Sequence, residues 1–184
     1  IDIGGGLGTL KEDTSQTSIK EFSKTIMNDC SGRAEKIIIE PGRSIVGNAG
    51  LLLMKTEYIK TNGEKNFAIV DAGMNDYLRP ALYQAEMEIK SVSPSSAQEK
   101  IYDIVGPVCE SGDFLGKDRQ LAIETGDLLC LCDAGAYGFA MSSNYNSRCR
   151  PTEILIVDES LHVIRERETF EDLIKNEKLI EYVN

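Results

Sequence analysis

The chain has 184 residues, of which 41% are hydrophobic, enough for one well-packed core or for a small domain joined to part of another. Its 30 acidic residues outnumber 20 basic ones and give a formal net charge of −10. This balance disfavours nucleic acid and anionic membrane as main partners and favours a small molecule or a protein.

Export and metal signals are weak in this sequence. No apolar stretch approaches the roughly 18 to 20 residues that span a bilayer, and no leader pattern opens the chain. The five cysteines have no repeating spacing, and with the single His162 they form no recognisable zinc set. We therefore expect a reducing, cytoplasmic compartment and no structural metal. The chain opens in an apolar strand pattern, so we expect a fragment whose first strand pairs with something upstream.

The first fifty residues predict strand, glycine loop, helix, strand and loop in that order. The strands are expected at 1–3 and 36–39, and the helix over about 18–30. Ser18 followed by Glu21 three residues later is a helix start signal. This alternation is typical of a parallel α/β sheet or barrel.

After Gly50 the pattern becomes that of an antiparallel β-barrel or sandwich. Asn62-Gly63 lies between two strand-like runs and predicts a hairpin. A short helix is expected over about 170–177, with Thr169 as its cap. We place the domain boundary between 1–49 and 50–184, with a final segment that could pack back on the first unit. Further strands are predicted at 87–92, 100–105, 127–132, 154–157 and 161–165.

Two candidate site motifs lie in the first unit. The run "GGGLG" (4–8) follows a strand and precedes a helix, where backbone N–H groups can converge on a phosphate, although its spacing fits neither a dinucleotide fingerprint nor a P-loop. A tight turn is the alternative. In "EPGRSIVG" (40–47), Arg43 could bind a carboxylate and Glu40 could accept a hydrogen bond from a cationic nitrogen. The alternative there is an ion pair that joins two loops.

Two more motifs lie in turns of the β-rich part. "DAGMNDYLRPALYQA" (71–85) puts Arg79 and Tyr83 four residues apart, on one face of a short helix, with solvated surface as the alternative. "GPVCESGD" (106–113) puts Cys109 beside Glu110 and near Asp113. A neighbouring carboxylate disfavours the thiolate, so this thiol suits proton donation better than attack. The alternative is a small buried residue in a tight turn.

The last motif, "DAGAYGFAMSSNYNSR" (133–148), is dense in small residues around Tyr137 and Tyr145. Small residues allow close approach to the backbone, and a tyrosine offers both a ring and a hydroxyl. Packed turns are the alternative.

These five motifs, in this order, resemble the C-terminal portion of the diaminopimelate decarboxylase family, which belongs to the alanine-racemase-like (fold type III) pyridoxal-phosphate enzymes. The resemblance spans nearly the whole chain. It implies the end of a (β/α)8 barrel that holds pyridoxal 5'-phosphate, followed by a β domain. It also implies a homodimer with shared active sites and, as function, the decarboxylation that ends lysine biosynthesis.

The resemblance also implies roles for individual residues. Arg43, Arg79 and Tyr83 would hold the substrate carboxylate that is not lost. From the partner subunit, Cys109 would supply the proton after CO2 leaves and Glu110 would bind the distal ammonium. Tyr137 would lie against both cofactor and substrate. The residues that would contact the cofactor are Gly5, Gly6, Glu40, Gly42, Arg43 and Tyr137.

Two alternatives stay open at this point. One is a decarboxylase of ornithine, arginine or carboxynorspermidine from the same class, although an arginine in the pocket would then lack its carboxylate partner. The other is a non-catalytic homologue that keeps only the fold. No segment resembles the family's cofactor-binding lysine motif, so we expect this chain alone to be inactive.

Overall fold

The computed structural model describes residues 1–9, 18–33 and 36–181. Its first unit pairs the two predicted strand segments in parallel through a single bridge between Asp2 and Ile38. The Ile38 amide donates to the Ile1 carbonyl (2.9 Å), and the Ile3 amide donates to the Ile38 carbonyl (3.1 Å). The predicted parallel order is therefore confirmed, but the paired segments are too short to count as strands.

Helix α1 (Ile19–Asp29) connects these two segments and begins at the predicted cap. The Ser18 hydroxyl accepts from the Glu21 amide (3.2 Å), and the Glu21 carboxylate accepts from the Ser18 amide (3.0 Å). The helix buries none of its residues, and Met27 is 62% exposed. Its apolar side therefore has no cover among the described residues.

The polypeptide then passes through the short helix α2 (Arg43–Val46) and a 3-10 turn into the β-rich part. The predicted hairpin at Asn62-Gly63 is confirmed, with Gly63 at φ +61° as the first loop residue. The elements of the β-rich part are β1 (Leu52–Asn62), β2 (Lys65–Val70), α3 (Arg79–Tyr83), β3 (Ile89–Ser91), β4 (Lys100–Val105), β5 (Phe114–Leu121), β6 (Leu128–Leu131), β7 (Glu153–Val157), β8 (Ser160–Arg165) and α4 (Phe170–Ile174).

Six of these strands form one sheet in the order β3-β6-β1-β2-β4-β5. Its two edges approach each other, because Ile89 of β3 packs against Gly116 of β5, where a Cβ would lie 2.8 Å from the Ile89 side chain. The sheet is thus a nearly closed barrel. Its interior is filled by fully buried side chains, the largest of which are Tyr77, Met54, Ile104, Leu115, Leu129 and Leu131.

The sheet differs from the sequence prediction in two places. Strands β2 and β4 pair in parallel, because the long connection between them crosses over through α3 and β3. Strand β5 was not predicted, since its sequence FLGKDRQL has a run of four polar residues at its centre and contains Asp118 at φ +53°. The other pairings in the sheet are antiparallel, as expected.

Strands β7 and β8 form a separate hairpin followed by α4. The Thr169 cap of α4 is confirmed, with Asp172 completing a capping box, but the helix ends at Ile174 rather than 177. The hairpin exposes apolar side chains on both faces, including the successive residues Leu155 (47%) and Ile156 (67%). Packing of this segment on another unit stays a prediction. Within the described ranges, every helix is too short or too polar to cross a membrane.

Candidate active site

The glycine loop lies against the turn that follows the second parallel segment. The Glu40 amide donates to the Gly4 carbonyl (2.8 Å), and a Cβ at Gly5 would overlap the Glu40 carbonyl oxygen. Gly4 and Gly6 have φ values of +72° and +107°, which favour glycine over any residue with a side chain. The loop therefore presents bare backbone beside residues 40–43.

Arg43 stabilises this loop directly. It begins α2, and its Nη2 donates to the Gly6 carbonyl at 2.9 Å. The described partner of its guanidinium is thus the glycine loop, whereas the Glu40 side chain is exposed. A guanidinium has five N–H donors, so this hydrogen bond leaves others for a ligand.

Tyr137 approaches the same place from the turn after β6. This turn is fixed to the segment before β1, because the Ala134 amide donates to the Gly50 carbonyl (2.8 Å). The Tyr137 hydroxyl lies 3.2 Å from where a Cβ at Gly42 would be, and its side chain is 48% exposed. We call this set the glycine-loop cluster: Gly4, Gly5, Gly6, Glu40, Gly42, Arg43 and Tyr137.

Arg79 and Tyr83 lie on α3, as predicted, but in different surroundings. Arg79 is half-buried, and its Nη1 lies 3.5 Å from the hydroxyl of Tyr77 and 3.9 Å from the sulfur of Met87. Burial raises the pKa of Tyr77, an effect that the nearby Arg79 opposes. Tyr83 is 62% exposed. The arginine is therefore held by the core, and the tyrosine is open to solvent.

Cys109 and Glu110 lie in the turn after β4, and both are exposed. The Tyr145 hydroxyl donates to Oε2 of Glu110 at 3.2 Å. This hydrogen bond and the charge of Glu110 raise the pKa of Tyr145. We call Cys109, Glu110 and Tyr145 the Glu110 cluster. The alternative of a small buried residue at Cys109 does not hold in this chain.

Asp113 is buried and serves the backbone around this turn. Its carboxylate accepts from the amides of Met74 (2.7 Å) and Val108 (2.6 Å). It thereby ties the turn after β2 to the turn after β4, and so it fixes the base of the loop that carries Cys109. Sequence reasoning placed Asp113 beside the thiol but missed this role.

Replacing Asp113 with asparagine is expected to lower the melting temperature of the complete polypeptide. An amide has one acceptor oxygen, so one of the two buried amides would face an NH2 group, at a cost of about 2 kcal/mol. For a domain of this size, that cost corresponds to a fall of about 4 to 8 °C in differential scanning calorimetry. Asp118→Asn, at an exposed site, is the matched control. Equal melting temperatures for the two variants would contradict the role assigned to Asp113.

Arg148 links the turn after β2 to the loop that carries Tyr145. Its Nε donates to Oδ1 of Asn75 (2.9 Å), and its Nη2 donates to the Asp71 carbonyl (2.7 Å). Nη2 also lies 3.8 Å from the carboxylate of Asp76, whose pKa is raised by burial. Sequence reasoning missed these residues as well. The one available signal was the density of polar side chains in "DAGMND".

The described contacts therefore place the predicted site residues in two groups. The glycine-loop cluster lies at the junction of the first unit with the β-rich part, and the Glu110 cluster lies on turns beside α3, where a Cβ at Gly112 would be 3.8 Å from the Ala81 side chain. Such a division suits sites that are completed by a partner subunit, which stays a prediction.

A nearly closed six-stranded barrel, joined to a glycine loop and carrying an exposed thiol and carboxylate, defines the C-terminal part of a fold type III pyridoxal-dependent enzyme. Residues 14–135 match the family model described as "Pyridoxal-dependent decarboxylase, C-terminal sheet domain". The chain belongs to this family.

Curated relatives and solved structures agree with this assignment. The chain is 51% identical to the diaminopimelate decarboxylase of Pseudomonas aeruginosa over 98% of its length and 43% of the relative. It is 48% identical to the Haemophilus influenzae enzyme of the same name, over 94% of this chain and 42% of the relative. The chain thus spans less than half the length of these relatives.

Two solved structures show the same architecture. The diaminopimelate decarboxylase of M. jannaschii superposes with a TM-score of 0.88 at 39% identity, over 97% of this chain and 43% of the other. The enzyme from Helicobacter pylori, solved in complex with L-lysine, gives 0.84 at 44% identity, over 95% and 43%. A viral arginine decarboxylase, at 17% identity and a TM-score of 0.65, shares the fold alone.

Proposed function

We propose that the protein carrying this domain decarboxylates meso-2,6-diaminopimelate to L-lysine with pyridoxal 5'-phosphate, as the last step of lysine biosynthesis. The proposal is carried by one observation: both clusters lie in a chain that is 51% identical, over 98% of its length, to a diaminopimelate decarboxylase. We also infer a cytoplasmic homodimer with shared active sites.

The glycine-loop cluster fits the phosphate end of this cofactor. Cβ positions at Gly4 and Gly6 meet nothing within 4 Å, so a phosphate can reach the backbone. The hydroxyl of Tyr137 and the guanidinium of Arg43 add donors beside that space. When bound, pyridoxal phosphate supplies the electron sink that allows CO2 to leave.

The residues of this chain then bind and orient the substrate and deliver a proton. Arg43, Arg79 and Tyr83 hold the carboxylate that is retained, because guanidinium groups pair with carboxylates in a fixed orientation. Glu110 binds the distal ammonium. The Sγ of Cys109 holds the proton that replaces CO2 on the α-carbon. In the proposed dimer, Cys109 and Glu110 act in the partner's site.

An amino-acid assay on the complete polypeptide, loaded with pyridoxal phosphate, tests this function. We expect lysine and CO2 from meso-diaminopimelate and no turnover of ornithine or arginine, measured in parallel. Turnover of ornithine or arginine instead would support the same class of decarboxylase but contradict diaminopimelate as the substrate. If none of the three were turned over, a non-catalytic homologue would become the better account.

A further inference from the structure

The loop that carries Tyr145 has an unfavourable backbone. Asn146 and Ser147 have φ values of +58° and +56°, in the left-handed region that residues with side chains seldom adopt. Such conformations persist only when the surrounding structure holds them, and they concentrate at functional sites. The contacts on either side of this loop therefore decide where the Tyr145 hydroxyl lies.

On one side, the loop is held by Arg148, through the turn after β2 described above. On the other side, it is held by Glu168, which lies between β8 and α4. Oε2 of Glu168 accepts from Nδ2 of Asn144 at 2.6 Å. Asn144 directly precedes Tyr145, so this hydrogen bond acts on the backbone next to the tyrosine.

Glu168 is itself held firmly by Arg150. Its Oε1 accepts from Nε (2.8 Å) and Nη2 (2.5 Å) of Arg150, and its Oε2 accepts from the Arg150 amide (2.8 Å). The side chain of Glu168 is only 19% exposed. These hydrogen bonds lower its pKa to about 2, so the carboxylate stays charged throughout the neutral range. The bidentate pair gives Asn144 a fixed acceptor.

We propose that Glu168 is a positioning residue, which acts through Asn144 and Tyr145 to orient the carboxylate of Glu110. Tyr145 donates to Oε2 of Glu110, and Oε1, which has only a long 3.5 Å contact from the Gly112 amide, keeps a lone pair for a ligand ammonium. The inference rests on the proposed function, in which Glu110 binds the distal ammonium of the substrate. It gives the segment after the β7–β8 hairpin a role in substrate recognition.

Glu168→Gln in the complete polypeptide tests this role, with Glu166→Gln, at an exposed site two residues away, as the matched control. An uncharged amide weakens the acceptor for Asn144 and places an NH2 group against its donors. We expect KM for diaminopimelate to rise about tenfold and kcat to change less than about twofold, because binding is affected and chemistry is not. The control should leave both constants unchanged.

A double variant separates positioning from general destabilisation. In a Tyr145→Phe background, Glu168→Gln should raise KM no further, because the link to Glu110 is already gone. Asn144→Ala keeps the Arg150–Glu168 pair and removes the link, together with the hydrogen bond from Asn144 to the Arg148 carbonyl (3.0 Å), so it should reproduce the KM effect even if Glu168→Gln folds poorly. Additive effects, or a normal KM in Asn144→Ala, would overturn the proposal.

A spectroscopic readout keeps this test independent of turnover. In protein labelled with 13Cζ-tyrosine, the Tyr145 resonance is assigned by its loss in Tyr145→Phe. We expect its pKa, raised in the parent mainly by the hydrogen bond to Glu110 and the charge of Glu110, to fall in Glu168→Gln and to be unaffected in Glu166→Gln. An unchanged Tyr145 titration in Glu168→Gln would overturn the positioning role, whereas a parent protein without turnover would overturn only the proposed function.

Discussion

Replacing Cys109 with alanine is expected to lower kcat for diaminopimelate about a hundredfold to ten-thousandfold, the range typical for loss of a general acid. The thiol is exposed in the turn after β4, beside Glu110, and Asp113 fixes the base of that turn. Its Sγ is thus presented at the surface rather than packed in the core. KM should change little, because the carboxylate and ammonium contacts remain in place.

Steady-state kinetics on the complete, cofactor-loaded polypeptide measure this effect. Cys30→Ala, at the end of α1, removes a thiol that lies outside both clusters and serves as the control. It should leave kcat unchanged. If Cys109→Ala kept the parental kcat, the proton would come from another group, and the proposed role of the thiol would be wrong.

Local signals predicted much of the fold correctly. The Ser18–Glu21 capping box and the Asn62-Gly63 hairpin depend on residues within a few positions of each other, and both are present. The segment 100–105 forms β4 with the predicted bounds. Strand β5 was not predicted because its sequence lacks an apolar alternation. Its conformation depends instead on pairing with β4 and on the contact with β3.

The supporting residues of the site could not be predicted for a similar reason. Arg148 and Asn75 meet across 73 positions of sequence, and Glu168 meets Asn144 across 24. Neither spacing corresponds to the repeat of a helix or a strand, so no local sequence pattern indicates that these residues are in contact. The residues that the motifs did indicate lie on turns or on the short helices α2 and α3, where nearby glycine and proline mark the backbone. Their supports are ordinary charged residues whose partners depend on how the barrel closes.

The parallel pairing of β2 with β4 brings two of these turns together. Strands that run in the same direction end at the same edge of the sheet, so the turn after β2 lies beside the turn after β4. Asp113 bonds to both turns, and α3 follows directly from the first. An antiparallel pair would have placed Arg79 and Glu110 at opposite ends of the barrel. This departure from the predicted sheet thus places α3 and the turn that carries Glu110 at the same edge of the barrel.

Replacing Arg79 with alanine is expected to lower kcat/KM for meso-diaminopimelate about a hundredfold or more, mainly through KM. The guanidinium would pair with the carboxylate that is retained, and loss of one partner from a hydrogen-bonded charge pair costs about 2 to 5 kcal/mol. Arg79 is half-buried over Tyr77 and begins a helix whose Pro80 is buried, so its position is well defined. Lysine in its place should restore only part of the effect, because an ammonium cannot form the planar, two-bonded pair.

Competition between substrates makes this prediction specific. A substrate that lacks the second carboxylate makes no ion pair with Arg79. In Arg79→Ala, any slow side activity with ornithine should therefore fall much less than the activity with diaminopimelate. Tyr83→Phe, on the same helix, removes a single hydroxyl and should cost about tenfold or less. An unchanged kcat/KM for diaminopimelate in Arg79→Ala would remove this arginine from the substrate pocket and reopen the choice among the amino-acid decarboxylases of this class.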